Sequence, residues 1–189
     1  LYAHGVHLFA THSKEKQIAV CSAFGDYLEE QRQYSEAAIQ FERAQRFEDA
    51  IEACVSCLAW EHAFELCYRA YGSAEETITT KQVMLARRLA EGLSTAMRFE
   101  DAATVLVEFG DDVEGAVESL VSGKAWARCF LVCAKAKRPD LVETLVDEGV
   151  GAALDELTAQ YTELARLFNR HTNRLEAVRK EKAEKARLI

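Results

Sequence analysis

The sequence predicts an all-α chain of short antiparallel helices. Nine glycines and one proline among 189 residues are too few for the turns of an all-β protein. Six segments begin alike, with a bulky residue, polar or acidic residues, a small residue and then apolar residues at helical spacing. The six predicted helix starts are Tyr34, Phe47, Trp60, Phe99, Val113 and Trp126. Starts 13 or 14 residues apart leave room for a helix of about ten residues and a tight turn, so neighbouring helices must form hairpins.

The hairpins share one internal spacing. The first and third units contain Phe24-Gly25, Leu28, Ala37, Phe41, Ala44 and Leu89-Ala90, Leu93, Ala102, Leu106, Phe109. The second and fourth contain Ala50-Ile51, Cys54, Ala63, Cys67, Ala70 and Ala116-Val117, Leu120, Cys129, Cys133, Ala136. Four copies of one spacing indicate a repeat protein, in which equivalent positions are buried alike. We expect two four-helix blocks, Gln17 to Tyr71 and Gln82 to Ala136.

This pattern of small and large apolar residues resembles the tetratricopeptide repeat, whose small residues let helices approach closely. Two features depart from that family. The helix-ending proline is missing, with Asp49 at its expected place, and the second and fourth units follow their predecessors by only 26 and 27 residues. The predicted fold is therefore a tetratricopeptide-like helical-hairpin array, an α-solenoid, over residues 1–149.

Two breaks and a long helix follow from the remaining residues. A loop at 72–76 precedes a helix from about Glu76 to Met97, and Pro139 can open a helix at its first position. After Gly149 and Gly151 the repeats give way to a heptad pattern, which predicts a long amphipathic C-terminal helix with a basic end over residues 150–189.

The heptad pattern forms a candidate seam for helix packing or dimerisation. Its first members are Leu154, Leu157, Tyr161, Leu164 and Phe168. The seam can fold back on the repeats or join two chains, and the sequence leaves both open. Polar residues at the later seam positions (His171, Lys182 and Lys185) indicate that a tight contact ends near Phe168.

Charge is distributed unevenly along the chain. With 23 Lys plus Arg against 31 Asp plus Glu, the net charge is −8, which argues against polyanion binding by the whole chain. Residues 166–187 hold eight basic and three acidic residues, a balance of 8 − 3 = +5, so −8 − 5 = −13 remains elsewhere. The basic end is either a solvated helix face, with pairs such as Glu176–Lys180 and Glu181–Lys185, or a contact surface.

The cysteines are the strongest candidates for chemistry. Cys54-x-x-Cys57 with Cys67 has a spacing used in metal and redox sites. However, Cys54 and Cys67 occupy the repeat positions of Leu28 and Phe41, which favours a core role, and the same argument applies to Cys129 and Cys133. Trp60 and Trp126 stand at matching helix starts and are interpreted as packing residues.

No catalytic, cofactor-binding or metal-ligating residue is predicted. The sequence has no glycine-rich phosphate loop, nucleophile elbow or His-Glu-x-x-His motif. None of its histidines (His4, His7, His12, His62 and His171) has a Cys or acidic residue at a known ligand spacing. It has neither a membrane-length apolar run nor a signal peptide, so we expect no membrane partner, reduced thiols and a cytosolic setting. Because it opens with Leu1, we expect a segment of a longer polypeptide.

Three segments together resemble the C-terminal helical region of the largest Elongator subunit. They are Ala23 to Leu28, Tyr34 to Cys67, which includes the Trp-Glu-x-Ala helix opening at Trp60, and Phe168 to Arg179 with its Phe-x-Arg-His sequence. The resemblance implies a non-catalytic scaffold that joins two copies of the subunit, contacts other Elongator subunits and supports modification of the tRNA wobble uridine. The implied location is the cytoplasm, with the nucleus as a second site.

The resemblance also gives the basic end an expected ligand. That family carries an RNA-contacting basic stretch near the end of this region, which implies a weak tRNA-phosphate contact at Arg166, Arg170, Arg174, Arg179 and Lys180. The alternatives are another cytosolic α-solenoid scaffold, such as a coat or transport-complex subunit, and a cysteine-based metal or redox protein.

Overall fold

A computed structural model describes residues 14–72 and 75–187 of the chain. The helices in these residues are α1 Lys14–Glu30, α2 Tyr34–Arg43, α3 Phe47–Ser56, α4 Trp60–Tyr71, α5 Glu75–Thr95, α6 Phe99–Glu108, α7 Val113–Ser122, α8 Trp126–Ala136 and α9 Asp147–Arg187. A π-helical turn, Val142–Val146, leads directly into α9. No strand occurs in this part of the chain, so the predicted all-α repeat array ending in a long helix is confirmed.

Seven turns in the described part of the chain each contain one residue in the left-handed conformation. The residues with positive φ, between 50° and 61°, are Arg32, Gln45, Leu58, Met97, Asp111, Lys124 and Lys137. The next N–H usually donates to the carbonyl of a core residue five positions back, as Arg98 does to Leu93 at 2.8 Å. This pattern satisfies the last carbonyls of the helix. The six predicted helix starts are confirmed, since helices begin at the same six residues after turns of three or four residues.

Three of the six equivalent repeat positions are buried in all four units, as predicted, and the other three are buried in some units and half-buried in others. The three positions with the same burial in all four units are Leu28, Cys54, Leu93, Leu120; Ala37, Ala63, Ala102, Cys129; and Phe41, Cys67, Leu106, Cys133. Trp60 and Trp126 pack against this core, as their positions predicted. The two blocks meet where the Phe64 and Phe109 rings stack with centroids 3.7 Å apart. Small and large residues at fixed positions therefore build one continuous core.

The last helix begins inside the array and leaves it. Leu141 and Val146 are buried against the repeats, and a Cβ built on Gly149 would lie 2.5 Å from Val121 Cγ1. Gly149 therefore permits a close helix approach instead of ending a helix. The predicted boundary between residues 149 and 150 falls within the continuous helix α9. Helix α5 ends at Thr95, short of the predicted Met97, because Met97 adopts the left-handed turn conformation. Residues 73 and 74 of the predicted loop lie outside the described residues.

Candidate interaction surfaces

The predicted seam is an exposed stripe on α9. We call Leu154, Leu157, Tyr161, Leu164 and Phe168 the apolar stripe; their exposed fractions run from 60% to 74%. From Leu154 to Ala186 every side chain except that of Ala165 is exposed. The Lys124 ammonium joins the Glu156 carboxylate at 2.7 Å, which ties the first part of α9 to the turn after α7. Within the described residues the apolar stripe has no cover.

Four of the five predicted basic residues lie on one side of α9. At about 100° per residue, Arg170 and Arg174 lie about 40° and 80° around the helix from Arg166, and Lys180 lies about 40° in the other direction. We call these four residues the basic row. All four are exposed. Arg166 lies 3.8 Å from Glu163, and no ion pair with a described residue holds Arg170, Arg174 or Lys180.

Arg179 is separated from the other four basic residues. It follows Arg174 by five residues, which is about 140° around the helix, and it therefore falls in line with Tyr161 and Phe168. Of the two ion pairs that a solvated face would contain, Glu181–Lys185 forms at 2.8 Å. In the described part of the chain Glu176 and Lys180 are not paired. Most of the positive charge in the basic row thus has no partner among residues 14–72 and 75–187.

A polar cluster joins α2, α3 and α4, which the sequence analysis missed. The His62 Nδ1 atom lies 3.5 Å from Cys54 Sγ, and the His62 Nε2 atom lies 3.2 Å from Glu42 Oε2. The Arg69 guanidinium donates to the other oxygen of the same carboxylate. The partners are separated by 20 and 27 residues, so a search for local ligand spacing does not find them.

The electrostatics of this cluster oppose thiol chemistry. Arg69 holds the pKa of the Glu42 carboxyl below its ordinary value, His62 acts in the same direction more weakly, and partial burial acts against both. Burial raises the pKa of Cys54 to about 12, and the nearby Cys57 and Glu42 add to that effect. Cys54 therefore stays a neutral, buried thiol at physiological pH, although it has a His–Glu pair beside it.

Across residues 14–72 and 75–187 no three His, Cys, Asp or Glu side chains are grouped so that they could hold a metal ion. His4, His7 and His12 lie outside these residues. No helix in the same ranges is long and apolar enough to cross a membrane.

Comparison with known proteins shows the family to which the chain belongs. Residues 1–130 match the family described as the ELP1 TPR domain. The chain belongs to this family. The resemblance to the largest Elongator subunit is therefore confirmed, and the match extends over the repeats up to α8.

Members of this family align with nearly the whole chain. Elongator complex protein 1 of Rattus norvegicus is 32% identical over 188 residues, covering 100% of this chain and 14% of that protein. The protein of the same name from Mus musculus is 33% identical, with 95% and 13% covered, and that of Saccharomyces cerevisiae is 26% identical, with 97% and 13% covered. The chain therefore spans about one seventh of the ELP1 relatives it matches.

Proposed function

We propose that the chain is a non-catalytic scaffold region of the Elongator large subunit. Its α9 joins two copies of the subunit, and its parent protein works in the cytoplasm with other Elongator subunits on the tRNA wobble uridine. The observation that carries this proposal is the uncovered apolar stripe on a helix of 41 residues. The neutral state of the Cys54 thiol supports a role without covalent chemistry.

The apolar stripe favours a contact between chains over a contact within one chain. Its five members recur at steps of three and four residues, the spacing by which two helices pack along a seam. Burying one leucine side chain contributes about 1.5–3 kcal/mol, so several together can hold two chains. His171 at the next seam position is polar and exposed, which limits a tight contact to the segment before it.

The basic row supports a secondary contact with tRNA. Its charges follow one side of α9 over 14 residues, about 21 Å, and can track a sugar-phosphate backbone without reading sequence. The remaining net charge of the chain is strongly negative and opposes the approach of RNA. The contact is therefore weak for this chain alone and contributes mainly within the whole complex.

Sedimentation tests the self-association. We expect the chain to dimerise at tens of micromolar, and the double substitution Leu157→Ser with Leu164→Ser to shift it to monomer. Met84→Ser is the matched control, because Met84 is equally exposed at 60% but lies on α5. A wild-type chain that stays monomeric would exclude the apolar stripe as a sufficient contact between subunits.

A further inference from the structure

The two repeat blocks contain equivalent grooves whose charged side chains differ. In the first block it runs between α2 and α4, and ion pairs close it. The Glu42 carboxylate lies between His62, at 3.2 Å, and the Arg69 guanidinium, and Arg69 also lies over the Phe47 ring at 5.4 Å. One carboxylate thus bridges two groups on α4 and fills the groove from within the chain.

The second block has basic side chains at both α8 positions and lacks a carboxylate at the position of Glu42. Val107 is the ninth residue of α6, as Glu42 is the ninth of α2. Arg128 and Lys135 are the third and tenth residues of α8, the places that His62 and Arg69 occupy in α4. Arg128 turns to Glu100 on α6, at 2.5 Å. Lys135 forms no ion pair or hydrogen bond with another described residue.

The result is an open groove with an apolar floor and a basic rim. Its volume is about 350 Å³, and its floor includes Val113, Leu120 and Val132. Val107 and Leu131 face it with exposed fractions of 41% and 52%, so the apolar lining continues onto the open edge of the groove. Apolar lining with a few charged groups at the edge is typical of a surface that receives another segment.

We propose that the α6–α8 groove docks a segment of another protein that carries a carboxylate beside a bulky apolar side chain. The carboxylate bridges Lys135 and the Arg128 guanidinium nitrogens that Glu100 leaves open, because Glu100 accepts from only one nitrogen of Arg128. The apolar side chain covers Val107 and Leu131. Glu108 lines the same groove and repels added negative charge. A singly charged carboxylate is therefore favoured over a doubly charged phosphate. This docking is independent of the contacts assigned to α9.

Synthetic peptides test the groove directly. The probes are fluorescein-labelled peptides with one Glu and two Leu at varied spacings in a Ser-Gly background, each also made with Gln in place of Glu. Fluorescence anisotropy with the 189-residue chain at low salt measures binding. We expect at least one Glu peptide to bind about tenfold more tightly than its Gln counterpart, because the carboxylate forms two charge-assisted hydrogen bonds.

One substitution supplies the missing carboxylate from within the chain. Val107→Glu places a carboxylate at the position of Glu42, and we expect it to lower the affinity for that peptide about tenfold while circular dichroism stays unchanged. Lys135→Ala gives a similar loss without touching the groove floor. Arg87→Ala on α5 is the control for loss of one exposed positive charge and leaves binding unchanged.

Four results would overturn the proposal. The first is equal binding of every Glu and Gln pair, and the second is unchanged binding to the Val107→Glu variant. The third is displacement of the peptide by inorganic phosphate at lower concentration than by acetate, which would make the groove a phosphate site. The fourth is dissociation of a dimer by Val107→Glu, which would make it a contact between copies.

Discussion

Gly25 and Phe41 share one volume in the first repeat. A Cβ built on Gly25 would lie 2.6 Å from Phe41 Cδ1, so only glycine leaves room for the ring. The equivalent pairs in the later repeats are Ile51 with Cys67, Ala90 with Leu106, and Val117 with Cys133. Wherever one member is large, the other is small. From one repeat to the next, the summed size of the two residues therefore stays similar, although the identity of each residue changes.

The shared volume predicts coupling between the two positions. Gly25→Val should cost about 1–3 kcal/mol by overpacking, and Phe41→Cys about 2–4 kcal/mol by leaving a cavity. The double variant, which copies the fourth repeat, should cost less than the sum of the two. Urea unfolding of the four proteins measures this coupling. Strictly additive costs would show that the volume is not shared.

The left-handed turn residues predict a stabilising substitution. Met97 has φ near 61° and its side chain is 74% exposed, so its backbone strain is not offset by packing. Met97→Gly should raise the free energy of unfolding by about 1 kcal/mol. Met97→Ala is the control, because it removes the same side chain but keeps the strain. Equal stability of the two variants would contradict this explanation.

The Glu42 cluster predicts a pH-dependent contribution to stability. A carboxyl whose folded-state pKa is lowered stabilises the fold above its ordinary pKa of 4.5, and this stabilisation is lost as pH falls through the folded-state pKa. Glu42→Gln should therefore lower the free energy of unfolding by about 1 kcal/mol at pH 7 and by progressively less below pH 4.5. Glu65→Gln, at an exposed position on α4, should show neither effect.

The thiols should differ in reactivity. Cys21, Cys54, Cys67, Cys129 and Cys133 are buried, and burial raises the pKa of each, whereas Cys57 is half-buried. A disulfide reagent at neutral pH should label Cys57 first and the others only on unfolding. Protein purified without chelators should contain less than one equivalent of zinc. A full equivalent lost in Cys54→Ser would establish a metal site instead.

The basic row should affect tRNA binding in a salt-dependent way. In the full-length subunit, Arg170→Glu should lower tRNA affinity and reduce the salt slope by about 1. Arg179→Glu makes the same charge change on the other side of α9 and should have a smaller effect. Arg87→Glu on α5 is the control for net charge. If all three leave affinity and slope unchanged, the basic row is a solvated helix face.

The sequence predicted the repeat elements because each helix start carries its own local signal. Bulky residues such as Tyr34 and Trp126 come directly after a turn, and the burial of Cys54 and Cys133 follows from their repeat positions. The predicted domain boundary after Gly149 falls inside α9, and the predicted helix end at Met97 lies two residues beyond the end of α5. A close helix contact explains the glycine, and a left-handed turn residue other than glycine leaves no compositional mark.

The contacts between helices were less predictable. The Glu42 network links residues 20 and 27 positions apart, and only alignment of the repeats by helix position brings them together. The same alignment places Val107 at the position of Glu42, which shows that the second block lacks this carboxylate. The heptad pattern predicted the apolar stripe but not whether the repeats would cover it, because periodicity fixes one face of a helix and not its neighbour.

The length of helix α9 determines how far its exposed side chains lie from the repeats. It is anchored near Gly149, and its 41 residues extend for about 60 Å. Each inserted residue would move the far end by about 1.5 Å and turn it by about 100°, whereas removing seven would shorten it by about 10 Å and change its direction by only about 20°. In relatives whose corresponding helices differ in length by whole heptads, the far end of the helix would therefore point in nearly the same direction but lie at a different distance from the repeats.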